Sequence, residues 1–172
     1  RVKNYRVFDV GNNSSYFDDR SGTSLDNKFI VEKVARKSYL PANAVLLENI
    51  KRNPNFKASF SISGLALEQF EEFAPEVIDS FRALVDTGNV ELLSETYYHS
   101  LSSIYSEDEF IHQVRLHRKK LRDLFGVTPT VFRNTELIYN NDIARLAEKM
   151  GYKGILAEGA DHILGWRSPT FI

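Results

Sequence analysis

Apolar residues recur along this chain in two rhythms, one helical and one strand-like, and their alternation predicts the fold. Between Asp26 and Ser38, the residues Phe29, Ile30 and Val34, with Tyr39 just beyond, keep helical spacing. Pro41 suits the first residue of a second helix running to about Asn53. A short strand is predicted from Ala58 to Ile62, leading straight into Gly64 and a helical stretch from Leu65 to Phe73. A further helix begins near Pro75 and stops at Gly88. Asn89 to Ser94 reads as the second strand. Ser106-Glu107-Asp108-Glu109 is a capping box that opens a helix with the stripe Phe110, Val114, His117, Leu121 and Leu124, closed by Gly126. Thr130 to Asn134 predicts the third strand, Asp142 to Met150 a helix and Tyr152 to Ala157 the fourth strand. The first 25 residues, rich in Asn, Ser, Asp and Gly, follow neither rhythm and predict a long loop.

Strands separated by helices long enough to bring the chain back indicate an α/β fold, with a parallel sheet and helices outside it. Four strands suit an open sheet or part of a barrel. In both, chemistry gathers where strands end. Those ends carry Ser61 and Ser63, then Glu95, Tyr97 and His99, then Asn134 and Glu136, then Glu158, Asp161 and His162.

Composition narrows the function. The 172 residues, 42% of them apolar, suffice for one sizeable core. A net charge of -1 with interspersed signs lacks the basic footprint of phosphate-backbone binding, so nucleic acid is excluded as a partner. The absence of cysteine rules out disulfides and thiolate metal sites and fits a reducing, cytoplasmic setting. No apolar run approaches the roughly 20 residues that span a bilayer, and Arg1 to Arg6 form no signal-peptide core, so no membrane partner is expected. There is no phosphate-binding loop, dinucleotide glycine motif or nucleophile elbow.

Two motifs carry chemistry. Glu136, in Phe132-Arg133-Asn134-Thr135-Glu136-Leu137-Ile138-Tyr139, follows the third strand directly, where a carboxylate can attack or stabilise an oxocarbenium-like centre. A salt bridge to Arg133 is the plainer reading of the same residue, and spacing does not choose between them. The stretch Gly88 to His99 sets Glu91, Glu95, Tyr97, Tyr98 and His99 on and beyond the second strand. Carboxylates bind sugar hydroxyls and aromatic faces stack on sugar rings, although a buried polar network has the same composition. Glu91, inside the strand, requires a partner if buried. Asp161-His162 lacks a third ligand at suitable spacing and is weak as a metal site. Trp166 suits a sugar platform or a core anchor. His117 and His112 read as packing and surface residues.

The runs Lys37 to Asn43, Phe60 to Gly64, Gly88 to His99, Phe132 to Tyr139 and Glu158 to Trp166 together resemble the α-amylase and 4-α-glucanotransferase group of glycoside hydrolase family 57. That resemblance spans nearly the whole chain in order. It implies a seven-stranded incomplete (β/α) barrel, of which residues 1–172 would be a single-domain fragment lacking the first and last strands. It also implies retaining action on α-1,4-glucans or maltooligosaccharides, without cofactor or metal. Glu136 matches the nucleophile and Glu91 the acidic residue that shapes substrate subsites, with Glu95, His99, Asp161, His162 and Trp166 lining the cleft. The His-Gln-Pro element of the first strand and the aspartate acid/base of a later one are expected outside this chain. α-Amylase activity is the leading expectation and glucanotransferase the near alternative. A metal-dependent polysaccharide deacetylase, or an inert fragment, is more remote.

Overall fold

The computed structural model describes residues 26–167. The predicted N-terminal loop lies outside them. The first described element, α1 (Asn27–Val34), opens with the Asp26 side chain accepting the Phe29 N–H at 2.7 Å. It does not end where a separate second helix was expected. A π-turn (Ala35–Tyr39) carries it without interruption into α2 (Leu40–Arg52), with the Leu40 N–H reaching back to the Ala35 carbonyl. Pro41 explains the join, since it has no N–H for the regular ladder and a locally widened turn absorbs the missing bond.

Beyond α2 the alternation holds. The elements are β1 (Ala58–Ser61), α3 (Gly64–Phe73), α4 (Pro75–Val85), β2 (Val90–Leu93), α5 (Ser102–Tyr105), α6 (Glu107–Phe125), β3 (Val131–Arg133), α7 (Asn141–Lys149), β4 (Gly154–Leu156) and α8 (Asp161–Leu164). Ser63, Ser106 and Asn140 cap α3, α6 and α7, each accepting an N–H of the first turn. Gly126 closes α6 in the left-handed region, at φ 70°. The short helices α5 and α8 had no periodic signal, as four-residue turns are too brief to show one.

Among the described residues, every strand pair is parallel. β1 lies beside β2, from Ala58 opposite Val90 to Ser61 opposite Leu93, and β3 beside β4, from Val131 opposite Gly154 to Arg133 opposite Leu156. The two pairs join at one bridge between Ser94 and Phe132, where Ser94 N–H donates to Val131 O at 2.9 Å and Arg133 N–H to Ser94 O at 2.8 Å. The order is therefore β1-β2-β3-β4, each strand beside its neighbour in sequence, as in a section of a (β/α) barrel.

Helices pack on one face. Leu67, Val77, Phe81 and Leu84 close over Val90 and Leu92, while Phe110, Val114, Ile143 and Tyr152 close over Phe132. Period-two alternation then turns Glu91, Leu93 and Glu95, and likewise Val131 and Arg133, to the opposite, inner face. Among the described residues, no helix is long and apolar enough to cross a membrane.

Candidate active site

Among the described residues, three non-glycine residues have positive φ, and all belong to two loops at the C-terminal ends of neighbouring strands: His99 (51°) after β2, Glu136 (53°) and Leu137 (57°) after β3. Such backbone is disfavoured for side-chain-bearing residues and persists where the surroundings impose it. Here those surroundings are visible.

After β2, Thr96 and Tyr97 anchor the loop. Thr96 Oγ1 accepts the Ser100 N–H at 2.9 Å, and the His99 N–H donates to Thr96 O at 3.1 Å. The Tyr97 ring lies flat against Gly64, where a Cβ would stand 2.4 Å from the ring carbons, and its hydroxyl donates to Glu68 at 2.5 Å. Burial and Glu68 both push that hydroxyl's pKa up. Gln113 on α6 supports the loop from below, accepting from Tyr98 N–H at 3.3 Å and Ser100 Oγ at 3.0 Å.

After β3, Asn134 is fully buried and its amide donates to Ser103 Oγ (3.2 Å) and Ile138 O (3.0 Å). Thr135 Oγ1 meets Thr96 Oγ1 at 2.9 Å, tying the two loops together. A 3-10 turn (Thr135–Leu137) then presents Glu136 outward.

The chemistry lies along one line of contacts. The Glu95 side chain is only 3% exposed, its Oε1 accepts from Ser61 Oγ at 3.1 Å, and its Oε2 meets His99 Nδ1 at 3.0 Å. On its other side His99 meets Glu136 Oε1 through Nε2 at 3.1 Å, and the Glu136 side chain is 70% exposed. The hydrogen bond that Glu95 accepts raises the His99 pKa most; burial opposes this, and Glu136 adds to it. Behind Glu95 stands His117 of α6. It accepts the Glu95 N–H at Nδ1 (3.2 Å) and donates from Nε2 to Ile62 O (2.7 Å), a pair that requires the neutral ring. Burial keeps it neutral by lowering its pKa. A cavity of about 580 Å³ opens beside this line, bounded by Tyr39, Asn43, Ser61, Glu95, His99 and Arg133.

The residues expected from sequence divide into three sets. Glu95, His99 and Glu136 come together, and Glu136 pairs with His99, not with Arg133. Glu91 faces the same side but lies four residues earlier on β2, roughly 13 Å below Glu95 at the usual strand rise, where it accepts from Thr130 Oγ1 at 3.1 Å. Asp161, His162 and Trp166 sit at α8, all exposed, with Trp166 at 95%. Within the described residues Trp166 packs into no core. No group of three or more potential metal ligands occurs among the described residues. His117 is buried as its stripe position suggested, but it is also a polar strut. The available signal was an imidazole on an otherwise apolar stripe, which demands partners for both nitrogens.

Comparison with known proteins places this geometry in context. The chain is 51% identical over 147 residues to a Methanocaldococcus jannaschii protein whose provisional name is alpha-amylase, matching 85% of this chain and 31% of that protein. Among solved structures, the 4-alpha-glucanotransferase of Thermococcus litoralis superposes with a TM-score of 0.63 at 21% identity, over 74% of this chain and 19% of that one. A family 4 carbohydrate esterase pseudoenzyme of Bacillus anthracis superposes with a TM-score of 0.53 at 18% identity, over 70% of this chain and 40% of that one. These two likenesses speak to fold. The chain spans about a third of the length of its Methanocaldococcus relative. The profile of Glycosyl hydrolase family 57 matches residues 6–171, and this chain belongs to that family.

Proposed function

We propose that the protein containing this chain is a retaining glycoside hydrolase of the α-amylase type acting on α-1,4-glucans, with Glu136 as nucleophile. The observation that carries the reading is the placement of Glu136: beyond a strand end, outward on a left-handed turn, and contacted by a histidine that lines a cavity and is anchored by a buried carboxylate. A nucleophilic carboxylate must be accessible to the anomeric carbon yet fixed in direction, and this one is both.

Chemically, Glu136 attacks the anomeric carbon to give a glycosyl ester while a general acid protonates the departing oxygen. Water then resolves the ester, with the same acid acting as base. Retention requires the two carboxyl groups about 5–5.5 Å apart. Glu95 is unsuited to the second role, because Ser61 and His99 occupy its oxygens and it is buried. We assign that role to an aspartate outside this chain. Glu91, Asp161, His162 and Trp166 are assigned to substrate subsites, and all of residues 1–172 to one catalytic barrel domain. The resemblance of its motifs to the α-amylase and 4-α-glucanotransferase group supports a second reading, in which a sugar hydroxyl replaces water as acceptor at the same nucleophile.

The test is Glu136→Gln in the complete protein on maltooligosaccharides. The expected loss in kcat is about 10³-fold or more, the scale on which a group acting only in the transition state matters. Undiminished turnover would place the nucleophile elsewhere. Rising reducing ends identify hydrolysis, and redistribution of chain lengths at constant reducing ends identifies transfer. Sensitivity to chelators would favour a metal-dependent deacetylase instead.

A further inference from the structure

His99 touches a carboxylate with each ring nitrogen, Glu95 at Nδ1 (3.0 Å) and Glu136 at Nε2 (3.1 Å). Ionised carboxylates only accept hydrogen bonds, and a neutral imidazole has one donor and one acceptor. Both contacts are hydrogen bonds together only when the ring carries two protons. With one proton, one contact becomes lone pair against lone pair and must open.

The two arms are unequal. Glu95 is buried and held independently by Ser61 and, through its backbone, by His117. Glu136 is exposed, and no other side chain contacts its carboxylate among the described residues. A ring with one proton therefore keeps Glu95 and lets Glu136 go. The other charged group near His99 is Arg133 of β3, which lines the same cavity, while Tyr97 is turned away to Glu68. We propose that His99 is a positioning residue whose doubly protonated ring holds the Glu136 carboxylate and its left-handed turn in place, and that loss of one ring proton releases them. This rests on Glu136 being the nucleophile. The raised His99 pKa agrees in direction, so the held state prevails on the acid side of the histidine's midpoint and is lost as pH rises through it.

The test combines a titration with kinetics on the complete protein. With histidines ¹³C-labelled at Cε1, the His99 signal is assigned by its absence in His99→Gln. Its midpoint is expected to lie above the ordinary histidine value and to move down in Glu136→Gln, an exposed isosteric change that leaves the fold intact. In the wild-type enzyme, kcat is expected to fall about tenfold or more as pH rises through that midpoint, the scale on which misplacing a reacting group by a fraction of an ångström acts, with KM little changed. Glu95→Gln should move midpoint and kcat limb downward together, and His99→Gln should abolish the limb. An inactive Glu136→Gln with an unmoved His99 midpoint would overturn the proposal alone. So would a limb at that same midpoint that survives in His99→Gln. An active Glu136→Gln would overturn the nucleophile reading and this proposal with it.

Discussion

Glu95 separates two histidines whose pKa values are pushed in opposite directions. On its sealed side, His117 is enclosed by α6 and the ends of β1 and β2, neutral, with both nitrogens committed to backbone groups. On its open side, His99 is 42% exposed and lies between two carboxylates that favour its charge. The same side chain serves as a rigid strut where water is excluded and as a proton-dependent tether where water reaches it. The difference is one of desolvation against charge pairing, since burial penalises the imidazolium and neighbouring carboxylates reward it.

The comparison can be broken most directly at its sealed end. His117→Leu strands the Glu95 N–H and the Ile62 carbonyl in a dry environment. It should lower unfolding free energy by about 3 kcal/mol, as two buried groups lose their partners, measured by urea denaturation. His117→Gln, which supplies an acceptor and a donor, should recover part of that loss. Next in size is Gly64→Ala, whose Cβ would meet the Tyr97 ring at 2.4 Å and drive the β2 loop outward. Overpacking of this kind costs about 2 kcal/mol, and it should also disturb the His99–Glu136 contact, visible as a changed His99 titration.

The pH dependence sharpens the contrast. The His117 pKa is lowered in the folded state, so below the unfolded value of about 6.5 the unfolded chain binds a proton that the folded chain refuses. Its contribution to stability falls as pH drops below that point. The His99 pKa is raised, so its contribution is full below the unfolded value and fades as pH rises through the folded one. Denaturation midpoints across pH should show an acid-side loss that disappears in His117→Gln. They should also show a weaker alkaline-side loss that disappears in His99→Gln, weaker because an exposed ion pair is screened. Smallest of all, Asp161→Asn, His162→Gln and Trp166→Ala should each change stability by less than about 0.5 kcal/mol, since these side chains are exposed and, among the described residues, form no side-chain hydrogen bond or ion pair. If they line substrate subsites, KM for maltooligosaccharides will rise while the denaturation midpoint stays still.

Much of the site was legible in the order of residues. A carboxylate or imidazole just past a strand in an α/β alternation has to stand at the C-terminal edge of the sheet, and this placed Glu95, His99 and Glu136 near one another before any contact was known. Spacing did not reveal that Glu91 and Glu95, both on the inner face, divide so differently, one paired with Thr130 low on the sheet and the other built into the strand-end line. Period-two alternation gives a face and not a depth. Nor did it reveal the partner of Glu136, because Arg133 is near in sequence whereas His99 is near only after β2 and β3 join at the single bridge between Ser94 and Phe132.

The sequence by itself determined the local structure: the caps at Ser63, Ser106 and Asn140, the glycine stop at Gly126, and the alternation that makes the sheet parallel. These depend on residues within a few positions of one another, so the chain specifies them without reference to its fold. Tertiary structure decided which carboxylate is buried and which is offered, which histidine has its pKa lowered and which raised, and that Glu136 takes a left-handed turn at all. Those properties come from long-range contacts, Ser61 to Glu95, His117 to Ile62 and Thr96 to Thr135, and from the local dielectric they create. Neither exists until the strands have assembled.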